Sequence, residues 1–313
     1  MMIFDGHADL LYDVTKWRQA GEDRVFERRH LPRLQAGQIG GLGLSIWTTV
    51  EQDSIWSAHP DWDGWRRTEE MMACAREELA ECPWLALVRT AAEARKAQTE
   101  GKLFAFLSVE GMEPVGDRLE RLEQYVRWGA RIGMLTWNEE NLLAAGAGGD
   151  PEKGLTELGR EAVRRMQRLG IVPDVSHAGD GTFRDLLKLA EGPVVASHSN
   201  CRALCDVRRN LTDEQLRAIR DTGGVVGVNV YHNFVHADPR QQTAAMLAHH
   251  AAHMAEVMGP EYVACGFDFC EFMGPGNEGA EGLESAAHIR NLFYWLEKLG
   301  MNRQELEMVA RGN

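Results

Sequence analysis

The chain has 313 residues, 44 % hydrophobic and 26 % charged, which is the composition of an ordinary globular protein with ample material for a large core. A formal charge of -13 argues against nucleic acid or anionic lipid as a partner, because both would be repelled at long range. The opening MMIFDGHADL has no basic segment followed by an apolar one, and no run is apolar enough to span a bilayer, so a cytoplasmic protein that meets no membrane is expected.

Eight short apolar runs, most followed by helical periodicity, carry the organisation of the chain. They are Ile3 to Asp9, Ile39 to Trp47, Leu103 to Glu110, Arg131 to Trp137, Ile171 to His177, Pro193 to His198, Gly224 to Tyr231 and Tyr262 to Asp268. Eight strand–helix units with no linker predict one closed (β/α)8 TIM barrel over residues 1–313 rather than an open doubly wound sheet. The clearest helix runs from Thr156 to Leu169, with Thr156 as N-cap and Gly170 just past the end. A second runs from Thr212 to Thr222, opened by a capping box of Thr212 and Gln215.

Two connections stand out. Glu51 to Trp65 carries Trp56, Trp62 and Trp65 and suits an aromatic lid, whereas the glycine-rich Ala144 to Gly154 reads equally well as a plain surface loop. The six cysteines form no Cys-x-x-Cys pair and read as reduced thiols, with Cys201 and Cys205 as buried small hydrophobes.

Chemistry concentrates at strand ends. His7 and Asp9, Glu110, His177, His198 and Asp268 close five of the eight runs, and in a barrel those ends converge on one mouth. His7 and Asp9 are two apart, so on a strand both side chains point to the same face and can grip one ion together. Three imidazoles and three carboxylates without a thiolate suit zinc or a similar divalent ion in a catalytic site, and they are too many for one tetrahedral ion. Two bridged ions would use them naturally.

Those residues sit in a wider pattern. DGHADLL at the start, SVEG around Glu110, GLTELGREAVRRMQRLGIVPDVSH (Gly154 to His177), SHSNCRALCDVRRNLTDEQL (Ser197 to Leu216) and GFDF around Asp268 together resemble the membrane dipeptidase family of zinc peptidases, in the same order and over nearly the whole chain. The resemblance implies an amidohydrolase-like barrel with two zinc ions. In it His7 and Asp9 bind one ion, His177 and His198 the other, and Glu110 bridges them. Asp268 then acts as acid/base, taking a proton from the bridging hydroxide and giving it to the leaving amine. Arg209, next to Asn210, holds the terminal carboxylate of a dipeptide-like substrate. Apart from the resemblance, Tyr231 and His232 at the end of the seventh run stand near the mouth, where packing against the barrel rim is the plainer role and substrate contact by Tyr231 the alternative. Arg208 reads as an ordinary surface arginine. Relatives form dimers, so a homodimer is implied as well.

Two positions depart from the family. Leu135-Thr136-Trp137-Asn138 places Trp137 where relatives carry a histidine near the substrate carbonyl, and an indole can donate a hydrogen bond but cannot titrate. This substitution keeps N-acyl amino acids, lactams and other amides open as substrates, and a non-catalytic metal-binding barrel stands as the contrasting reading. Cys270 replaces a common aspartate, a change expected to be secondary. His249, His250 and His253 lack the glutamate of a His-Glu-x-x-His zinc helix and read as a solvated or interfacial helix face.

Overall fold

Seven of the eight runs form strands in the computed structural model, which describes residues 1–49 and 54–313. They are β1 (Ile3–Ala8), β2 (Ile39–Trp47), β4 (Leu103–Glu110), β5 (Ala130–Met134), β6 (Val172–Asp174), β7 (Val226–Val228) and β8 (Val263–Cys265); a short β3 (Leu85–Leu87) had no counterpart among the runs. The chain divides into two compact units, one of Met1–Ala8, His30–Leu42 and Pro193–Asn313, the other of Asp9–Arg29 and Gly43–Gly192.

In the second unit β5 lies between β4 and β6, paired in parallel to both, with Leu107 opposite Ala130 and Ile132 opposite Val172, while β2 flanks β4. Helices Arg121–Trp128 and Glu157–Arg168 make the crossovers, as parallel neighbours require. The second helix begins where the sequence says: the Thr156 hydroxyl accepts the Gly159 N–H at 3.0 Å, Ala162, Val163 and Met166 are buried, and Gly170 at φ +73 ends the turn.

In the first unit β7 and β8 pair in parallel, Val226 opposite Val263. The run Pro193 to His198 is the exception to strand formation, contributing only a parallel bridge from Ala196 to Val226. Close packing explains its place: a Cβ on Gly266 would lie 1.6 Å from the Ser197 carbonyl, so only glycine admits that backbone beside β8. β1 lies against the end of β8, where the Phe267 N–H donates to Asp5 Oδ1 at 2.9 Å. Helix Asp213–Asp221 opens with the expected capping box of Thr212 and Gln215.

Three expectations change. β1 stops at Ala8, and Asp9 takes the N-cap position of helix Leu10–Gln19 (φ -83, ψ 26), so strand alternation does not align it with His7. Trp56 is buried and Trp65 stacks on Trp128 at 5.5 Å, which makes both packing residues rather than parts of a free lid. Glu51, Gln52 and Asp53 of that connection lie outside the described residues. His250 is fully buried, not solvated. Cys201 and Cys205 are buried free thiols, as expected.

Candidate active site

Glu110, the last residue of β4, and His177, three residues past β6, meet in the second unit with His177 Nε2 2.9 Å from Glu110 Oε1. The other ring nitrogen, Nδ1, is 3.0 Å from Asn138 Oδ1 and must donate, because that oxygen only accepts. A singly protonated ring therefore turns the Nε2 lone pair toward a carboxylate oxygen. Two acceptors at that separation require a proton or a cation between them, and the two atoms need part by only about half an ångström to share a tetrahedral zinc ion with ligand distances of about 2.0–2.2 Å. The donor set fits a divalent metal.

The support for this pair is built from the turns after the strands. Ser45 on β2 donates to Glu110 Oε2 at 3.0 Å. Asp174 accepts both the backbone N–H and the hydroxyl of Ser176, at 2.9 and 2.7 Å, fixing the turn before His177. The glycine-rich segment is a brace rather than a plain loop. Ala147 N donates to the His177 carbonyl at 2.9 Å and Gly148 N to that of Asn138 at 2.7 Å, while a Cβ on Gly146 would lie 2.3 Å from the Trp137 carbonyl. Trp137 stands half-buried with its ring 6.0 Å from His177 and 5.7 Å from Trp47. Asp9, also in this unit, is buried at its helix N-cap and makes no side-chain cap bond there.

The first unit holds a second set of donors. The rings of His7 and His198 stack at 3.8 Å, and His7 Nε2 lies 4.0 Å from Asp268 Oδ1. His198 Nδ1 is 2.8 Å from the Ser197 hydroxyl, an orienting contact of the kind that leaves Nε2 for a metal. Asp268 adopts φ +58, a left-handed conformation that costs energy outside glycine, and Asn229 donates to its Oδ2 at 3.0 Å. The Cys270 thiol donates to Oδ1 at 3.4 Å. Asp5, on the same face of β1 as His7, accepts the N–H groups of His7 and Phe267, yet burial pushes its carboxyl up to about 7.

Arg209 is buried with its guanidinium 5.2 Å over the Phe234 ring, whereas Arg208 is exposed. Asn210 is fully buried and its amide donates to the carbonyls of Cys205 and Phe234, both at 2.9 Å. Tyr231 packs its ring on Phe234 at 4.9 Å, and its hydroxyl accepts from Asn233 at 3.2 Å. The sequence reading missed Ser45, Asn138, Ser197 and Asn229. Their common signal was a short polar side chain beside a ligand or at a strand end, which is too frequent to single out without coordinates.

Solved structures extend this picture. The chain matches a metallo peptidase from Rhodobacter sphaeroides, solved with a phosphinate mimic of the dipeptide L-Ala-D-Ala, at 26 % identity and TM-score 0.87, covering 99 % of this chain and 96 % of that one. It matches the dipeptidase AC, a metallo peptidase of family M19, at 25 % identity and TM-score 0.86 over the same shares. An amidohydrolase from Pseudomonas aeruginosa shares the fold at 21 % identity and TM-score 0.79, covering 99 % and 93 %. Fold and donor chemistry together define a metal-dependent hydrolase of the amidohydrolase-like barrel class. The family model for membrane dipeptidase (peptidase family M19) matches residues 1–313, and the chain belongs to that family as a metal-dependent dipeptidase. No helix among the described residues is long and apolar enough to cross a membrane.

Proposed function

We propose that the chain is a binuclear zinc dipeptidase that cleaves short substrates ending in a free carboxylate. The observation that carries this reading is His177, whose Nδ1 is committed to Asn138 while Nε2 faces the Glu110 carboxylate at 2.9 Å. His7 and Asp9 would hold one ion, His177 and His198 the other, with Glu110 bridging. Residues 1–313 are read as one catalytic domain. When bound, the metal pair lowers the pKa of a water toward about 7 and polarises the scissile carbonyl.

The chain's own groups supply the rest. Asp268 accepts the proton of the attacking water and returns it to the leaving amine; Asn229, donating to Oδ2, fixes the carboxylate plane for both transfers. Arg209 pairs with the substrate carboxylate, because a guanidinium fork can make two parallel charge-assisted hydrogen bonds. Asn210 serves by tying that arginine's loop to the Phe234 carbonyl, and Tyr231 lines the approach. The six free thiols fit a reducing, cytoplasmic setting.

The half-buried Trp137 ring near His177 favours a second reading of the substrate, an N-acyl amino acid or related amide in place of a dipeptide. Elemental analysis of gently purified protein, with turnover of a mixed L,L and L,D dipeptide panel in zinc, tests the main reading. Close to two metals per chain with hydrolysis is the expected result. Metal-loaded protein inert on the whole panel but active on N-acyl amino acids would replace it with the second reading, and protein that takes up no metal would overturn both.

A further inference from the structure

Helix Ala244–Met258 buries one histidine of the three it carries between residues 249 and 253, and both nitrogens of that ring are engaged. The Cys201 N–H donates to His250 Nδ1 at 3.0 Å, so Nδ1 is unprotonated. Nε2 therefore carries the proton and donates it to the Val235 carbonyl at 2.8 Å. One neutral tautomer satisfies both contacts.

The two groups that His250 joins are the neck and the floor of the loop that presents Arg209. The neck is closed by a parallel bridge between Cys201 and Leu211, with Arg202 N donating to the Leu211 carbonyl at 2.7 Å and Leu211 N to that of Asn200 at 2.8 Å. The floor is the short helix His232–Val235. Its Phe234 carbonyl accepts from Asn210 at 2.9 Å and Asn200 at 3.3 Å, and its Phe234 ring underlies the Arg209 guanidinium at 5.2 Å. The Cys205 thiol adds a contact to the Asn233 carbonyl at 3.5 Å. His250 alone among these groups comes from a third element, and it fixes neck and floor to one another.

We propose that His250 is a positioning residue for substrate carboxylate recognition: it holds the Cys201–Leu211 loop against helix His232–Val235 so that Arg209 is set before substrate arrives. The inference rests on the assignment of Arg209 to the terminal carboxylate. Its consequence is selective. Loosening the neck from the floor weakens ground-state binding of a free carboxylate and leaves the proton transfers at Asp268 unchanged, so the cost falls on KM rather than kcat.

The test compares zinc-loaded wild type, His250→Leu, His250→Asn, Arg209→Ala and the His250→Leu/Arg209→Ala double variant on one dipeptide with a free and an amidated C-terminus. His250→Leu is expected to raise KM for the free carboxylate by roughly tenfold, with kcat within about threefold and metal content unchanged. In the Arg209→Ala background the same substitution should add nothing, because the group it positions is gone. His250→Asn, which can keep one of the two bonds, should fall between and provides the readout if the leucine variant does not fold. Equal losses on the free and amidated substrates, or additive losses in the double variant, would overturn the positioning role. A wild type that does not distinguish the two substrates would instead remove the Arg209 assignment, a separate failure from that of His250.

Discussion

Asn229 donates through Nδ2 to Asp268 Oδ2 at 3.0 Å, and Asp268 receives that bond from a left-handed backbone at φ +58. A carboxylate held in a costly conformation by a buried amide is prearranged for one orientation. Asn229→Ala should therefore lower kcat by roughly tenfold with little change in KM, since Asp268 keeps its chemistry and loses its aim. Steady-state kinetics of the zinc-loaded variant reads this directly, and a purely KM effect would assign Asn229 to substrate binding.

Arg209 should tolerate no conservative replacement. Arg209→Lys retains the charge but gives up the planar fork and the stacking on Phe234, so kcat/KM for a free-carboxylate dipeptide should fall by roughly 10- to 100-fold, mostly through KM. The same variant should act on a C-terminally amidated dipeptide about as the wild type does.

His250 gives the fold an acid-side weakness. Burial lowers its pKa from the ordinary 6.5 to about 4, with the bond to Val235 opposing the shift and His253, His236 and His249 adding to it. Between those values the unfolded chain binds a proton that the folded chain excludes, so stability present above pH 6.5 is lost as the pH falls toward 4, by about 3 kcal/mol at the end of that window. Urea unfolding at pH 7.5 and 4.5 should show this loss in the wild type and a smaller one in His250→Gln, which cannot titrate.

Gly159 tests a conflict between helix propensity and packing. Alanine in a helix interior is worth about 1 kcal/mol over glycine, yet a Cβ here would sit 1.9 Å from the Leu143 carbonyl, which already accepts the Thr156 N–H at 2.9 Å. Gly159→Ala should destabilise by about 1–3 kcal/mol despite the better propensity, measured as a lowered unfolding midpoint in denaturant. A stabilised variant would mean that the Leu143 loop yields freely.

The sequence carried more of this protein than its low identity to solved relatives suggests. Strand positions were legible because apolar runs punctuated by polar ends are a local signal, and seven of eight became strands. The exception, Pro193 to His198, reduces to one bridge at Ala196, whose N–H and carbonyl pair with Val225 and Gly227 while the glycines of β7 and just past β8 admit the Ser197 carbonyl at close range. The ends of helices Glu157–Arg168 and Asp213–Asp221 were equally local, being written in Thr156, Gly170, Thr212 and Gln215. β3, Leu85–Leu87, was missed, having no counterpart among the eight runs.

By itself the sequence determined the α/β class and the family, since these depend on residue types and their order along the chain. Tertiary structure alone decided which nitrogen of His177 faces Glu110, that Asn138 contacts the His177 ring and Asn229 the Asp268 carboxylate, and that Asp9 stands at the N-cap position of a helix instead of extending β1. It also decided that His250 is buried and shared between Cys201 and Val235, against its solvated appearance in sequence. The physical reason is that a hydrogen bond depends on where two distant backbones meet, and the 49 residues separating Cys201 from His250 carry no local trace of that meeting.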